Sequence, residues 1–364
     1  MMCKVLYRLR HKQYCPTKED LNNKELKALA NRLKTNSKEK TLINILEWQS
    51  KNIKFWNERW VPSVIAIILS IIFFVIFFVL PIFNKWLLLA LSLLAFFLLI
   101  FLLFLTNNSL IYYGCWIFIT SALIFRCYKI WPNLYLLLIV GIVVSLLVLI
   151  ITIFLSNYII HNRSAAFDAF NPNLSVEKIL KHKLGVCKDY AKLTAALLLT
   201  IYKDSEVYFV STLTHVATGI KINGKIYTLD PPSPILPLDK WITNIKTKIC
   251  FIKINLGNEN INCKFVENLK SLPSQKLSDI RKLSNKVKSL FKIKAKRPIR
   301  NPDLEIPIIK TNLLADDLLF QDSLLELIKN KVEDELITNV TKLEYINLGV
   351  KDNRLKLDVW LRSE

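Results

Sequence analysis

Apolar and polar positions segregate along this chain on two scales. On the finer scale, residues 18–34 place Leu21, Leu26, Leu29 and Leu33 near one face, which predicts a polar helix. Residues 38–59 align Leu42, Ile45, Leu46, Ile53 and Trp56 in one stripe, which predicts a second helix. On the coarser scale, residues 61–80, 86–125 and 132–160 are uncharged throughout. Twenty such residues are long enough to cross a hydrocarbon core, and "TNNS" at 106–109 is a natural turn within the longest run. The pattern therefore predicts four membrane spans, near 61–80, 86–105, 109–126 and 134–155.

Beyond residue 160 the period changes. Ser175 followed by Glu177 predicts a capped helix over 175–182, broken by Gly185, and a second helix runs from Cys187 to about Tyr202. "EVYFVSTL" and "HVATGIKI" are β-branched and alternating, so they read as strands. Asn223–Gly224 signals a two-residue hairpin, "KIYTLD" is the returning strand, and "PPSP" at 231–234 ends it. Further along, 248–255 reads as a strand, 275–296 as a basic helix and 298–310, with its prolines, as a linker or extended arm. Residues 313–338 form an amphipathic helix, and 340–349 with 353–361 a terminal hairpin.

Charge sharpens this division. The chain carries a net +21, yet residues 61–160 hold no acid and only Lys85, Arg126 and Lys129. Four regions follow: a basic helical segment at 1–60, a transmembrane region at 61–160, a core at 161–260 and a basic C-terminal region at 261–364. The first 40 residues show no continuous apolar stretch, so no cleaved leader is expected. The basic segment before the first span places the soluble parts in the cytoplasm of a multi-pass cell-membrane protein. The lipid bilayer is thus an expected partner. The seven cysteines lack framework spacing, which suggests free thiols and a reducing compartment, with Cys115 and Cys127 packing as small hydrophobes. Cys3, His11 and Cys15 could be three metal ligands, but no fourth lies nearby, so neither metal nor cofactor is expected. His161 and His182 read as surface or interfacial residues. Residues 281–300 carry nine basic residues and no acid. They read either as a contact for anionic lipid head groups or an acidic partner, or as a solvated helix face. No nucleic-acid motif or basic–aromatic interleaving appears, so nucleic acid is not an expected partner.

One constellation carries chemistry. Cys187 stands at a helix entrance, where unpaired N–H groups and the dipole stabilise a thiolate. His215 heads a strand, and Asp230 ends the strand paired to it. Counting back from the Asn223–Gly224 turn, 222 pairs with 225 and 217 with 230, so Asp230 lands two residues from His215 on the same face. A helix-borne Cys187 facing them completes a Cys–His–Asp arrangement. The neighbours Asp189 and Tyr190 read as a first-turn acid and a packing residue.

The ordered set "GVCKDYAKLTAALL" (185–198) and "HVATGIKINGKIYTLDPP" (215–232) resembles the transglutaminase-like superfamily. "TLINILEWQSKNIKFW" (41–56) is similar to the helix that precedes the cysteine in that family. The resemblance implies an α+β, papain-like transglutaminase core, a Cys helix packed on an antiparallel sheet. Here it would be combined with four transmembrane α-helices inserted between its first helix and its Cys helix. It implies Cys187, His215 and Asp230 as catalytic residues acting on a peptide or carboxamide through a thioester. The alternative on the same fold is an inactive scaffold or peptide-binding protein.

Overall fold

The computed structural model describes residues 14–60, positions 65, 160, 165, 168, 169 and 171, and residues 173–363 apart from 213, 246–248, 257–260, 268, 276, 278, 339 and 340. The chain divides into two compact units, Met1–Tyr14 with Phe55–Val186, and Cys15–Lys54 with Cys187–Glu364.

In the first unit a helix spans Val176–His182, and the Ser175 hydroxyl accepts the Lys178 N–H at its start. Lys183 ends it in the left-handed conformation. His182 has an enclosed side chain, 5% exposed, rather than a surface one, with Nε2 2.8 Å from Asp168 Oδ2.

In the second unit, α1 (Lys18–Asn22), α2 (Lys24–Leu33) and α3 (Lys38–Asn52) come first. The helix expected over 18–34 is two helices. Asn23 leaves helical geometry and turns its side chain to cap the Leu26 N–H. α4 (Cys187–Ile201) is buried from Lys188 to Leu199. Its Lys192 pairs with Asp20 at 3.1 Å with both side chains almost fully enclosed. The Tyr190 hydroxyl donates to the Ile53 carbonyl, and the Thr194 hydroxyl donates to Gln49 Oε1 at 2.9 Å. These bonds hold the end of α3 against α4.

A six-stranded antiparallel sheet follows, built from β1 (Val207–Ser211), β2 (Val216–Ile222), β3 (Lys225–Leu229), β4 (Leu236–Pro237), β5 (Cys250–Leu256) and β6 (Ile261–Val266). Its order is β4-β3-β2-β1-β5-β6. β1 is buried at all five positions, as a strand covered on both faces must be. The β2–β3 turn has positive φ at Asn223 and Gly224, the geometry that matches strand twist. α5 (Leu238–Asn244) lies between β4 and β5 in sequence.

The C-terminal part adds α6 (Ile280–Leu290), β7 (Leu304–Lys310), α7 (Leu318–Thr338), β8 (Thr341–Lys351) and β9 (Arg354–Ser363). Its sheet has the order β8-β9-β7. The stretch expected as a linker is thus in part a strand. Pro307 is tolerated because β7 lies at the sheet edge and the register shifts beside its partner Lys356. One hydrophobic cluster joins Tyr208, Val210 and Ile226 of the larger sheet to Val287, Phe320, Ile328, Ile346 and Leu357.

Two expectations are corrected. The fold is α+β with antiparallel sheets, but among the described residues no helix is long and apolar enough to cross a membrane. The physical reason lies in helix charge. The longest described helix, α7, has 21 residues but includes Asp322, Glu326, Lys329, Lys331, Glu333, Asp334 and Glu335. The membrane and multi-pass assignment is withdrawn accordingly. The spans proposed near 61–80, 86–105, 109–126 and 134–155 lie, apart from Ile65, outside the described residues. The thiols, too, are not all free. Cys15 and Cys263, 248 residues apart, form a disulfide, and Cys250 is disulfide-bonded as well. Spacing along the chain cannot reveal a pairing that only folding brings within reach. Cys15 is therefore no metal ligand, while Cys3, His11, Cys115, Cys127 and His161 lie outside the described residues.

Candidate functional site

The site is assembled from three elements of the second unit. Cys187 opens α4, where the first-turn N–H groups have no partner within the helix. It is half-buried, and it is the free cysteine among the described residues. His215 sits in the turn that leads into β2. The Thr212 hydroxyl accepts the His215 N–H at 3.0 Å, and the Thr212 N–H donates to the His215 carbonyl at 2.8 Å. That closed turn fixes the backbone from which the ring projects. The Thr218 hydroxyl, three residues beyond His215 on β2, donates to the Ala191 carbonyl at 2.8 Å, which ties this strand to the N-terminal half of α4.

Asp230 follows β3 directly. The observed register pairs Ile222 with Lys225 and Thr218 with Leu229, so the count that put 217 opposite 230 continues the ladder as it stands. His215 Nε2 lies 3.0 Å from Asp230 Oδ1 and 2.9 Å from Oδ2. The Cys187 thiol lies near enough to the ring to act on its proton affinity. The structure thus brings all three residues expected from the sequence together.

Burial is the largest influence on the His215 ring and pushes its pKa down. The hydrogen bonds and charges of Asp230 and Cys187 outweigh it and raise the value to about 10. The imidazole is therefore protonated across neutral pH. Tyr190, in the first turn of α4, is pushed up to about 12 by burial and then by Asp189, so it stays a neutral phenol.

Trp241 was not singled out from the sequence. It lies on α5, is 1% exposed, and donates from Nε1 to Asp230 Oδ2 at 3.0 Å. Its ring also stacks against His215, with centroids 6.2 Å apart and planes at 24°. No periodicity marks it, because α5 is only seven residues long and follows the prolines after Asp230. A tryptophan shortly after an Asp-Pro strand end would have been the available signal.

A family model described as a transglutaminase-like domain matches residues 24–256. Among curated proteins, the UPF0252 protein MJECL39 of Methanocaldococcus jannaschii is 29% identical over 195 residues, 51% of this chain. The match covers 54% of that relative, so this chain spans about half the length of the curated protein it resembles. No solved structure matches the chain.

Proposed function

Since this chain belongs to the transglutaminase-like domain family, we propose that it is a cysteine enzyme of acyl transfer with Cys187, His215 and Asp230 as its triad. The observation that carries the reading is the His215–Asp230 bond, with the free thiol of Cys187 close enough to the ring to raise its proton affinity. In the proposed reaction the thiol proton resides on His215 and the Cys187 sulfur attacks a carboxamide or peptide carbonyl. The imidazolium returns that proton to the leaving nitrogen as the C–N bond breaks, which leaves a thioester on Cys187. His215 then takes a proton from water, which cleaves the thioester and releases a carboxylic acid. An amine as acceptor would instead give a new amide. Hydrolysis is the simpler outcome, since it needs no second substrate beyond water. Asp230 keeps the ring oriented and stabilises its positive form, and Trp241 holds Asp230. The Cys187 backbone N–H, at the start of α4, serves as one donor to the developing oxyanion.

The test is direct trapping. The protein is incubated with peptide carboxamides and the intact mass is followed. An acyl adduct on Cys187 that hydroxylamine releases is expected, and Cys187→Ala should lack it. If no adduct forms, and iodoacetamide labels Cys187 no faster than it labels the urea-unfolded chain, the site is a binding or scaffold remnant.

A further inference from the structure

Val216, Thr218 and Ile220 alternate along β2, so they share one face of the strand, and all three are buried. The middle residue is a threonine at 0% exposure between two apolar β-branched neighbours. A valine has nearly the same shape and brings no polar group into the core. A buried hydroxyl costs free energy unless it is bonded, and when bonded it adds little net stability. Stability therefore does not ask for a threonine at this position. Direction does, because a hydrogen bond fixes geometry where apolar packing does not.

The direction concerns the site. The Thr218 hydroxyl donates to the Ala191 carbonyl at 2.8 Å. Ala191 lies four residues beyond Cys187 on α4, and Thr218 lies three beyond His215 on β2. Leu229, the β3 partner of Thr218, directly precedes Asp230. His215 and Asp230 are set against each other by the hairpin and by their own bond. The Cys187 sulfur arrives on a separate helix, so the hairpin does not place it. α4 is held to α3 by the Tyr190 and Thr194 hydroxyls, but α3 carries none of the three residues. The Thr218 bond joins the helix of the nucleophile to the strand of the base.

We propose that Thr218 is a positioning residue for the acyl transfer: its hydroxyl sets the height of α4 against β2, and with it the spacing of the Cys187 sulfur and the His215 ring. The proposal rests on the Cys187–His215–Asp230 reading and adds to it the contact that brings the thiol into range. Thr218 acts through the other residues and touches no reacting atom.

Titration of the full chain with ¹⁵N-labelled histidine, followed by NMR, tests it without a substrate. The chain has four histidines, and the His215 signals are those missing in His215→Ala. Cys187→Ala should lower the titration midpoint of the His215 ring, since the thiol raises its proton affinity. Thr218→Val should lower it in the same direction and no further. The double variant Cys187→Ala/Thr218→Val should match Cys187→Ala alone, because residues that act through one contact are non-additive. Iodoacetamide labelling of Cys187 should slow about fivefold in Thr218→Val, the worth of one hydrogen bond. Thr218→Ser keeps the hydroxyl and should restore both readings. Thr41→Val removes another fully buried threonine hydroxyl, one that donates to the Ser37 carbonyl at 2.9 Å, and should leave both unchanged. Should Thr218→Val not fold, Thr218→Ala also lacks the hydroxyl, adds no bulk, and carries the same expectation. If Cys187→Ala moves the midpoint and the Thr218 variant does not, the proposal falls while the triad stands. A Thr218 shift that persists in the Cys187→Ala background overturns it as well. If Cys187→Ala leaves the midpoint in place, the pairing of thiol and ring falls, and the proposal falls with it.

Discussion

His215 and His182 each face an aspartate at almost the same distance, 2.9 Å to Asp230 Oδ2 and 2.8 Å to Asp168 Oδ2. Their surroundings differ. The His182 side chain is 5% exposed, and Asp168 also takes the Lys178 ammonium, so its carboxylate is divided between two partners. Burial pushes the Asp168 carboxyl up, but the Lys178 and His182 bonds outweigh it and hold the carboxyl below the ordinary range. The His215 side chain is about one-third open, and its second partner is a thiol rather than a lysine. A histidine–aspartate bond is therefore no mark of a site by itself. Access to the ring and a nucleophile on its other side make the difference.

Four measurements can break or sharpen this contrast. The largest effect is expected for His215→Ala, which should slow acylation of Cys187 by about 10²–10⁴-fold, the usual worth of general acid–base help. His182→Ala should leave that rate within twofold of the starting value, allowing for about 0.4 kcal/mol of indirect effect. Equal losses in the two variants would dissolve the distinction.

Asp230→Asn should come next. The activity profile is expected to fall on the alkaline side near pH 10, where the imidazolium is lost. With a neutral amide beside the ring, that limb should move down toward the ordinary histidine value of ~6.5. Asp168→Asn should leave the limb in place. It should instead lower unfolding free energy by about 1 kcal/mol, since Lys178 is 44% exposed and its pair with Asp168 is screened by solvent. A pH profile alike in both variants would count against the assignment of roles.

The two pairs should also respond to pH in opposite senses. The folded pKa of His215 lies above its unfolded value, so its stabilising contribution is full below pH ~6.5 and is lost as pH rises toward 10. The folded pKa of Asp168 is depressed, so its contribution is present above pH ~3.9 and is lost as pH falls through the folded value. Denaturant melts of His215→Ala and Asp168→Asn against the unmutated chain, taken across pH, read both windows. Parallel curves for the two variants would contradict these shifts.

Trp241→Phe should give the smallest change. Phenylalanine keeps an aromatic ring beside His215 but cannot donate to Asp230 Oδ2. The lost bond is worth about 1 kcal/mol, which corresponds to a fall of roughly fivefold in acylation. Since the Trp241 role is one of positioning, the alkaline limb should shift slightly downward as well. A rate loss with no movement of the limb would point to a packing defect instead.

Much of the site was legible because it is local. Asn223–Gly224 sets a hairpin, the hairpin sets the register, and the register brings His215 and Asp230 within reach before any packing is considered. Trp241 was not legible, since it approaches Asp230 from a short helix beyond a proline-rich turn. The Cys15–Cys263 bond spans 248 residues and leaves no trace in spacing. β7 was read as an arm because its prolines argue against a central strand and the sequence does not say which strands lie at an edge. The uncharged runs between 61 and 160 invited membrane spans, and apart from Ile65 and Ile160 they lie outside the described residues.

The sequence by itself determined the elements around the site, the Cys187 helix and the hairpin after His215, since period, caps and turn residues act over a few positions and need no partner. It determined the pairing of His215 with Asp230 for the same reason, through one two-residue turn. The tertiary structure decided what those residues face: which histidine keeps an open side, which carboxylate is shared with a lysine, and which of the described cysteines keeps a free thiol. Those outcomes depend on burial and on contacts between residues far apart in the chain, and a linear pattern does not record them.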